Sequence, residues 1–129
     1  MPITGLYAAL LSLILLFLWS RVSAARMQSG IALLHGDDPE LIYRIRRHAN
    51  FVEHVPFALI LLAVIERGGT RPAVLHVLGA TLLVARILHP LGIGAVKTPN
   101  ALRAAGAGAT FLVILAGATL ALAQRISAW

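Results

Sequence analysis

The sequence contains no cysteine, only one lysine, and only five acidic residues among 129. Without cysteine the chain can form no disulfide and supplies no thiol of its own, so any reacting sulfur must arrive on a ligand. Charged residues make up 12% of the chain, whereas hydrophobic residues make up 59%. A soluble domain of this length needs more polar surface than that. The composition therefore predicts an integral membrane protein.

The apolar residues are grouped into stretches long enough to cross a bilayer, and the mean hydropathy of the chain is +0.85. A spanning helix needs about 20 residues, so the length accommodates four spans and short connections. The N-terminal stretch lacks the basic segment of a signal peptide, so we expect it to be retained. We expect an all-α membrane protein with one domain, residues 1–129. Its four-transmembrane-helix bundle is predicted at residues 3–25, 39–67, 71–90 and 99–125.

Local signals support these helices. Asp38 followed by Pro39 is typical of a helix start, with Asp38 as the N-cap. By the same reasoning Thr98 is predicted to cap the fourth helix. Gly106 and Thr110 are small residues four apart, a spacing that lets two membrane helices approach closely.

The basic residues indicate the orientation. Seven of the eleven lie on one side of the predicted membrane: Arg21, Arg26, Arg44, Arg46, Arg47, Lys97 and Arg103. Arg67, Arg71 and Arg125 lie on the other side, and Arg86 lies within a span. The positive-inside rule places the side with seven in the cytoplasm and both termini on the non-cytoplasmic side. Topology thus explains the net charge of +6, and we expect no nucleic-acid partner.

One helix face carries the most informative polar residues. Arg46, Asn50 and Glu53 follow one another at i, i+4 and i+7, so they share a face over two turns. A guanidinium, an amide and a carboxylate in a line suit a small zwitterionic ligand with carboxylates and amides. The same three residues could instead satisfy one another and hold helices together. The spacing alone leaves both interpretations open.

The remaining buried polar residues are predicted to be structural. Arg86 and His89 face one direction in the third span, and Arg86 needs a partner, for which Glu53 is the candidate. His48 is expected to contact headgroups or neighbouring helices. The histidines show no ligand spacing such as HExxH, so we expect no metal site.

At Arg46-x-x-x-Asn50-x-x-Glu53, followed by Pro56, the chain resembles the MAPEG family of membrane-associated proteins in eicosanoid and glutathione metabolism. Arg86-x-x-His89 in the third span adds to the resemblance, which covers essentially the whole chain. The core at residues 46–50 looks most like the bacterial inner-membrane branch of the family.

The resemblance implies a homotrimer of four-helix subunits in a bacterial inner membrane, with glutathione as co-substrate between neighbouring subunits. It would assign Arg26, Arg46, Asn50 and Glu53 to glutathione binding. It would also make Arg103, the nearest equivalent of an arginine that stabilises the glutathione thiolate, the catalytic residue. A cation beside the sulfur increases the thiolate fraction.

Two functions follow from the resemblance. The first is conjugation or reduction of lipophilic electrophiles, as in glutathione transferases and peroxidases. The second is a non-catalytic role, binding membrane lipids or acting as a scaffold. Eicosanoid-synthesising members carry a tyrosine where this chain has Ile93, which favours the second function. A transporter is less favoured, because the spans show no inverted repeat.

Overall fold

The chain folds as a bundle of four helices in a computed structural model that describes residues 1–94 and 100–127. The helices are α1 (Pro2–Ser29), α2 (Pro39–Arg67), α3 (Pro72–Leu91) and α4 (Ala101–Ile126). Each is long and apolar enough to cross a membrane. No strand occurs in the described part of the chain. These features confirm the expected all-α bundle of four membrane helices.

The loop between α1 and α2 is bounded by two strong local signals. α1 continues to Ser29, beyond the expected end at residue 25, and stops where Gly30 adopts a left-handed φ of 68°. Asp38 caps α2 as predicted: its Oδ1 accepts from the backbone N–H of Glu40 at 3.0 Å and of Leu41 at 3.3 Å. α2 then runs without interruption through Pro56 to Arg67.

α4 begins with a different cap from the one that the sequence suggested. Asn100 is the N-cap residue, and its Oδ1 accepts from the N–H groups of Leu102 and Arg103 at 3.0 and 3.2 Å. The expected cap, Thr98, and Pro99 lie outside the described residues. The helix therefore starts at Ala101, two residues later than expected.

Small residues bring α3 and α4 together. Gly106 and Thr110 are both buried, as their spacing predicted. A Cβ atom at Gly106 would lie 2.7 Å from the Cβ of His89 and 2.8 Å from the carbonyl oxygen of Ala85. Only glycine fits at this approach. The rest of the interior is apolar, with Leu11, Phe51, Leu62, Ile65, Leu75 and Leu82 among its buried residues, while many large apolar side chains face outwards.

The bundle has two unlike ends. We call the end with Met1, residues 68–71 and the last turn of α4 the terminal end, and the end with residues 30–38, 92–94 and 100 the loop end. At the terminal end the Glu66 carboxylate accepts from the N–H groups of Ile3 and Thr4 at 3.0 and 2.8 Å, and so caps α1 from α2.

Two more polar contacts between helices occur at the terminal end. The Tyr7 hydroxyl lies 3.1 Å from the Nδ1 of His76 and also donates to the His76 carbonyl. Gln124 Nε2 donates to Thr70 Oγ1 at 2.8 Å and to the Ile65 carbonyl at 3.3 Å. These contacts tie α1 to α3 and α4 to the end of α2.

Candidate functional site

A cavity of about 580 Å³ lies between α2, α3 and α4 at the loop end. This volume is within the range of small-molecule sites, roughly 300–1,000 Å³. The lining comes from α2, from the end of α3 with the residues after it, and from α4 with its cap. The lining residues are Ile42, Tyr43, Arg46, Asn50, His89, Gly92, Ile93, Gly94, Asn100, Arg103, Ala104 and Ala107.

Three of the residues singled out for glutathione in the sequence meet at this cavity. Arg46 and Asn50 reach it from successive turns of α2, and Arg103 reaches it from the first turn of α4. Both arginines are exposed, whereas His89 is almost completely buried behind them. No carboxylate is present among the described lining residues. The polar wall is therefore positively charged and rich in hydrogen-bond donors.

Arg86 lies beneath this wall, with only 2% of its surface exposed. Its Nη1 donates to the Oδ1 of Asn50 at 2.9 Å, and its Nη2 donates to the Gly106 carbonyl at 3.1 Å and to the Thr110 hydroxyl. The expected pair between Arg86 and Glu53 is wrong. The rotation of α2 turns Asn50 towards Arg86 and leaves Glu53 exposed on the outer surface.

Two other residues assigned to glutathione are not brought to the cavity within this chain. Glu53 is absent from the described lining. Arg26 uses its Nη1 to bind the carbonyls of Ile31, Ala32 and Leu34 at 3.2, 3.2 and 2.9 Å. Its guanidinium thereby organises the turn after α1.

His48 and Arg47 are not among the described lining residues of the cavity. His48 is half-buried, which is compatible with the structural role expected for it. Arg47 is one of the seven basic residues on the predicted cytoplasmic side. Its Nη2 also donates to the Ile93 carbonyl at 2.6 Å, which joins α2 to the chain two residues after α3.

Asn100 is a polar lining residue that the sequence did not lead us to expect. The signal was present, because asparagine immediately before an apolar helix is a preferred N-cap. Thr98 and Pro99, just before it, form a competing signal for a helix start. A cap residue at the loop end necessarily stands beside the cavity, since α4 begins there.

A second, smaller recess of about 130 Å³ adjoins the cavity and shares Asn50 and Ala107 with it. It is bounded by His54 and Thr110 and by the apolar side chain of Phe111, which is largely exposed on the outer surface. The polar cavity and the apolar outer surface of the bundle are thus close to each other in this region.

The chemistry of the site is that of an anion receptor. Guanidinium and amide N–H groups bind carboxylates and carbonyls. No three histidine, cysteine or acidic residues come together within residues 1–94 and 100–127 in a way that could hold a metal ion.

The helices and this site define a multi-pass integral membrane protein with a polar, cationic cavity between its helices. The sequence matches the MAPEG family over residues 4–123. It is also similar to the inner membrane protein YecN of Escherichia coli K12 and to that of Escherichia coli O6:H1. Each is 36% identical over 90 residues, which cover 70% of this chain and 69% of the relative. No solved structure matches the chain.

The chain therefore belongs to the MAPEG family, and the assignment made from Arg46, Asn50 and Glu53 is confirmed. The name of both relatives agrees with the expected inner-membrane branch.

Proposed function

We propose that this protein binds glutathione in the cavity at the loop end and uses it as a co-substrate to conjugate or reduce lipophilic electrophiles. The observation that carries the proposal is the convergence of Arg46, Asn50 and Arg103 on one cavity of about 580 Å³. Two guanidinium groups and no described carboxylate favour a ligand with more than one negative charge. Glutathione offers two carboxylates, peptide carbonyls and a thiol.

Arg103 is the candidate for activating the thiol. It lies in the first turn of α4, where the positive end of the helix dipole adds to its own charge. A thiolate is stabilised by nearby positive charge, which increases the nucleophilic fraction at neutral pH. In conjugation the thiolate forms a bond to an electrophilic carbon, and the leaving group departs with its electron pair. In peroxide reduction two glutathione molecules become a disulfide while the peroxide yields an alcohol and water.

The lipophilic partner would come from the bilayer. The smaller recess lies between Asn50 and the lipid-facing Phe111, so an apolar substrate could approach the polar cavity without crossing water. We further propose that the protein resides in a bacterial inner membrane with the loop end in the cytoplasm. Both termini would then be non-cytoplasmic, in accordance with the distribution of basic residues.

A homotrimer is part of the proposal, and Glu53 supports it. Glu53 is exposed on a membrane helix beside the exposed residues Val52 and Phe57. A carboxylate facing hydrocarbon is costly, so such groups normally face protein or water. A neighbouring subunit on this surface would cover Glu53. In this arrangement Glu53 and Arg26 would complete the glutathione site across the subunit interface.

The alternative function is a non-catalytic protein of the same fold that binds membrane lipids or serves as a scaffold. Ile93 favours it: an apolar side chain lines the cavity where the eicosanoid-synthesising members carry a tyrosine. The cavity would then bind a ligand without activating it.

Titration of the detergent-purified protein with glutathione, followed by thiolate absorbance, tests the proposal. We expect binding with a thiolate signal in the wild type, weaker binding in Arg46→Ala, and loss of the thiolate signal in Arg103→Ala. Arg125→Ala is the matched control, because Arg125 is exposed in α4 at the terminal end, and it should behave like the wild type.

Three outcomes would change the proposal. Failure to bind at millimolar glutathione would eliminate it. Binding without a thiolate signal would favour the non-catalytic alternative. A monomer, found when the same preparation is sized in detergent, would contradict the trimer.

A further inference from the structure

We infer that Asn50 and Asn100 form a pair of hydrogen-bond donors in the cavity, each oriented by a contact outside it. Asn100 is thereby a further ligand-binding residue, and the ligand must present a carboxylate or carbonyl oxygen to each amide group. The ligand part of this inference rests on the proposed glutathione function; the orientation of the two side chains does not.

The orientation of Asn50 follows from the chemistry of Arg86. A guanidinium has five N–H donors and no acceptor, so only the oxygen of the Asn50 amide can face it. Arg86 Nη1 donates to this Oδ1 at 2.9 Å, and Arg86 is itself held by the Gly106 carbonyl and the Thr110 hydroxyl. The Nδ2 group of Asn50 must then point away from Arg86.

The orientation of Asn100 follows from the start of α4 by the same logic. The N–H groups of Leu102 and Arg103 are donors only, and both bind the Oδ1 of Asn100. Its Nδ2 group therefore points away from the helix end. Gly92 packs against this cap: a Cβ atom there would lie 2.6 Å from Asn100 Oδ1.

Both amides border the same cavity, and no described residue accepts a hydrogen bond from either Nδ2 group. Together with Arg46 and Arg103 they give the cavity four donor side chains from two helices. An amide can normally donate and accept, so an unconstrained asparagine would tolerate either type of ligand group. Here the oxygen of each amide is already turned towards protein N–H groups, so the cavity favours ligand groups that accept a hydrogen bond through oxygen.

Replacing each asparagine with aspartate tests the two atoms of the amide separately, because aspartate keeps an oxygen acceptor and lacks the Nδ2 donor. Asn50→Asp keeps an oxygen towards Arg86 and adds an ion pair, while Asn100→Asp keeps an N-cap as good as asparagine. Both remove the donors that face the cavity. We expect unfolding midpoints at or above that of the wild type, with glutathione binding weakened at least about tenfold.

Asn100→Ser is the matched neutral control, because serine also caps a helix but lacks an amide N–H. It should weaken binding without introducing a negative charge. Thr110→Val removes another partner of Arg86 while leaving both amides in place. This variant should lower the unfolding midpoint and weaken binding less than the aspartate variants do, because Arg86 keeps the Gly106 carbonyl as a partner.

A second measurement needs no ligand. The chain has two asparagines, so selective labelling with nitrogen-15 asparagine yields two side-chain amide pairs in an NMR spectrum, assigned with the two aspartate variants. Both pairs should exchange rapidly with water in the apo protein, since both face the cavity.

The outcomes are separable. A lowered midpoint in either aspartate variant, or protection of either amide from exchange, would overturn the orientation. Wild-type affinity in both aspartate variants would overturn the role in binding. If the wild type fails to bind glutathione, the proposed function falls with the ligand part of the inference, whereas exchange and midpoints still decide the orientation.

Discussion

The two ends of the bundle use polar residues in opposite ways. At the terminal end Glu66, Tyr7 and Gln124 each make hydrogen bonds to a neighbouring helix or to the chain just beyond one. At the loop end Arg46 and Arg103 border a cavity instead. Within residues 1–94 and 100–127, the amides beside them bind protein only through their oxygens. Polar groups paired with protein stabilise the fold, whereas donors left facing a cavity are available to a ligand.

The difference between the two ends predicts how substitutions will act. Changes at the terminal end should alter stability and leave ligand binding intact, whereas changes at the loop end should alter binding more than stability. Changes between the two ends should affect both.

The largest loss of stability is expected for Gly106→Ala, at the contact between α3 and α4. The new methyl group would collide with His89 and the Ala85 carbonyl, and overpacking of this kind costs about 1–3 kcal/mol. The shift would also disturb the carbonyl that binds Arg86. Thermal unfolding in detergent should show a lower midpoint, and glutathione titration a weaker affinity.

Gly108→Ala is the control for that substitution. Gly108 lies one half-turn away in the same helix, and a Cβ atom there meets nothing within 4 Å. Alanine is the better helix former, so this variant should be at least as stable as the wild type. Equal losses in both variants would show that the close contact at Gly106 is not responsible, because helix propensity favours alanine at both positions.

An intermediate loss of stability is expected for Glu66→Ala at the terminal end. The substitution leaves the N–H groups of Ile3 and Thr4 without the carboxylate that caps α1, a loss of about 1–2 kcal/mol by analogy with other helix caps. The unfolding midpoint should fall while glutathione affinity stays within the error of the wild type. A parallel loss of affinity would refute the separation of the two ends. Glu66→Gln keeps one acceptor oxygen, so its unfolding midpoint should lie between those of the wild type and Glu66→Ala.

The smallest effect on stability is expected for Gly92→Ala at the loop end. The added methyl group would displace the Asn100 cap, at a cost of about 1 kcal/mol, and would move Arg103 with it. Affinity for glutathione should fall roughly tenfold, so the change in binding exceeds the change in midpoint. A variant that loses stability but binds normally would place the ligand elsewhere.

Some features of the site could be predicted because they depend on residues close in the chain. Arg46 and Asn50 are one helical turn apart, so any α-helix brings them to one face, and both line the cavity. Asp38 and Pro39 form a cap within a few residues. The partner of Arg86 could not be predicted in this way. It depends on how α2 is rotated against α3, and both Asn50 and Glu53 were chemically acceptable.

By itself, the sequence determined the class of protein, the four helices and the family, because hydropathy, helix caps and the motif at residues 46–53 act over short stretches of chain. The tertiary structure decided which polar residues face one another. It directed Asn50 rather than Glu53 to Arg86, turned Arg26 to its own loop, and brought Asn100 to the cavity. The physical reason is that contacts between helices depend on rotation and register, which the packing of Gly106 and its neighbours fixes and which no single helix encodes.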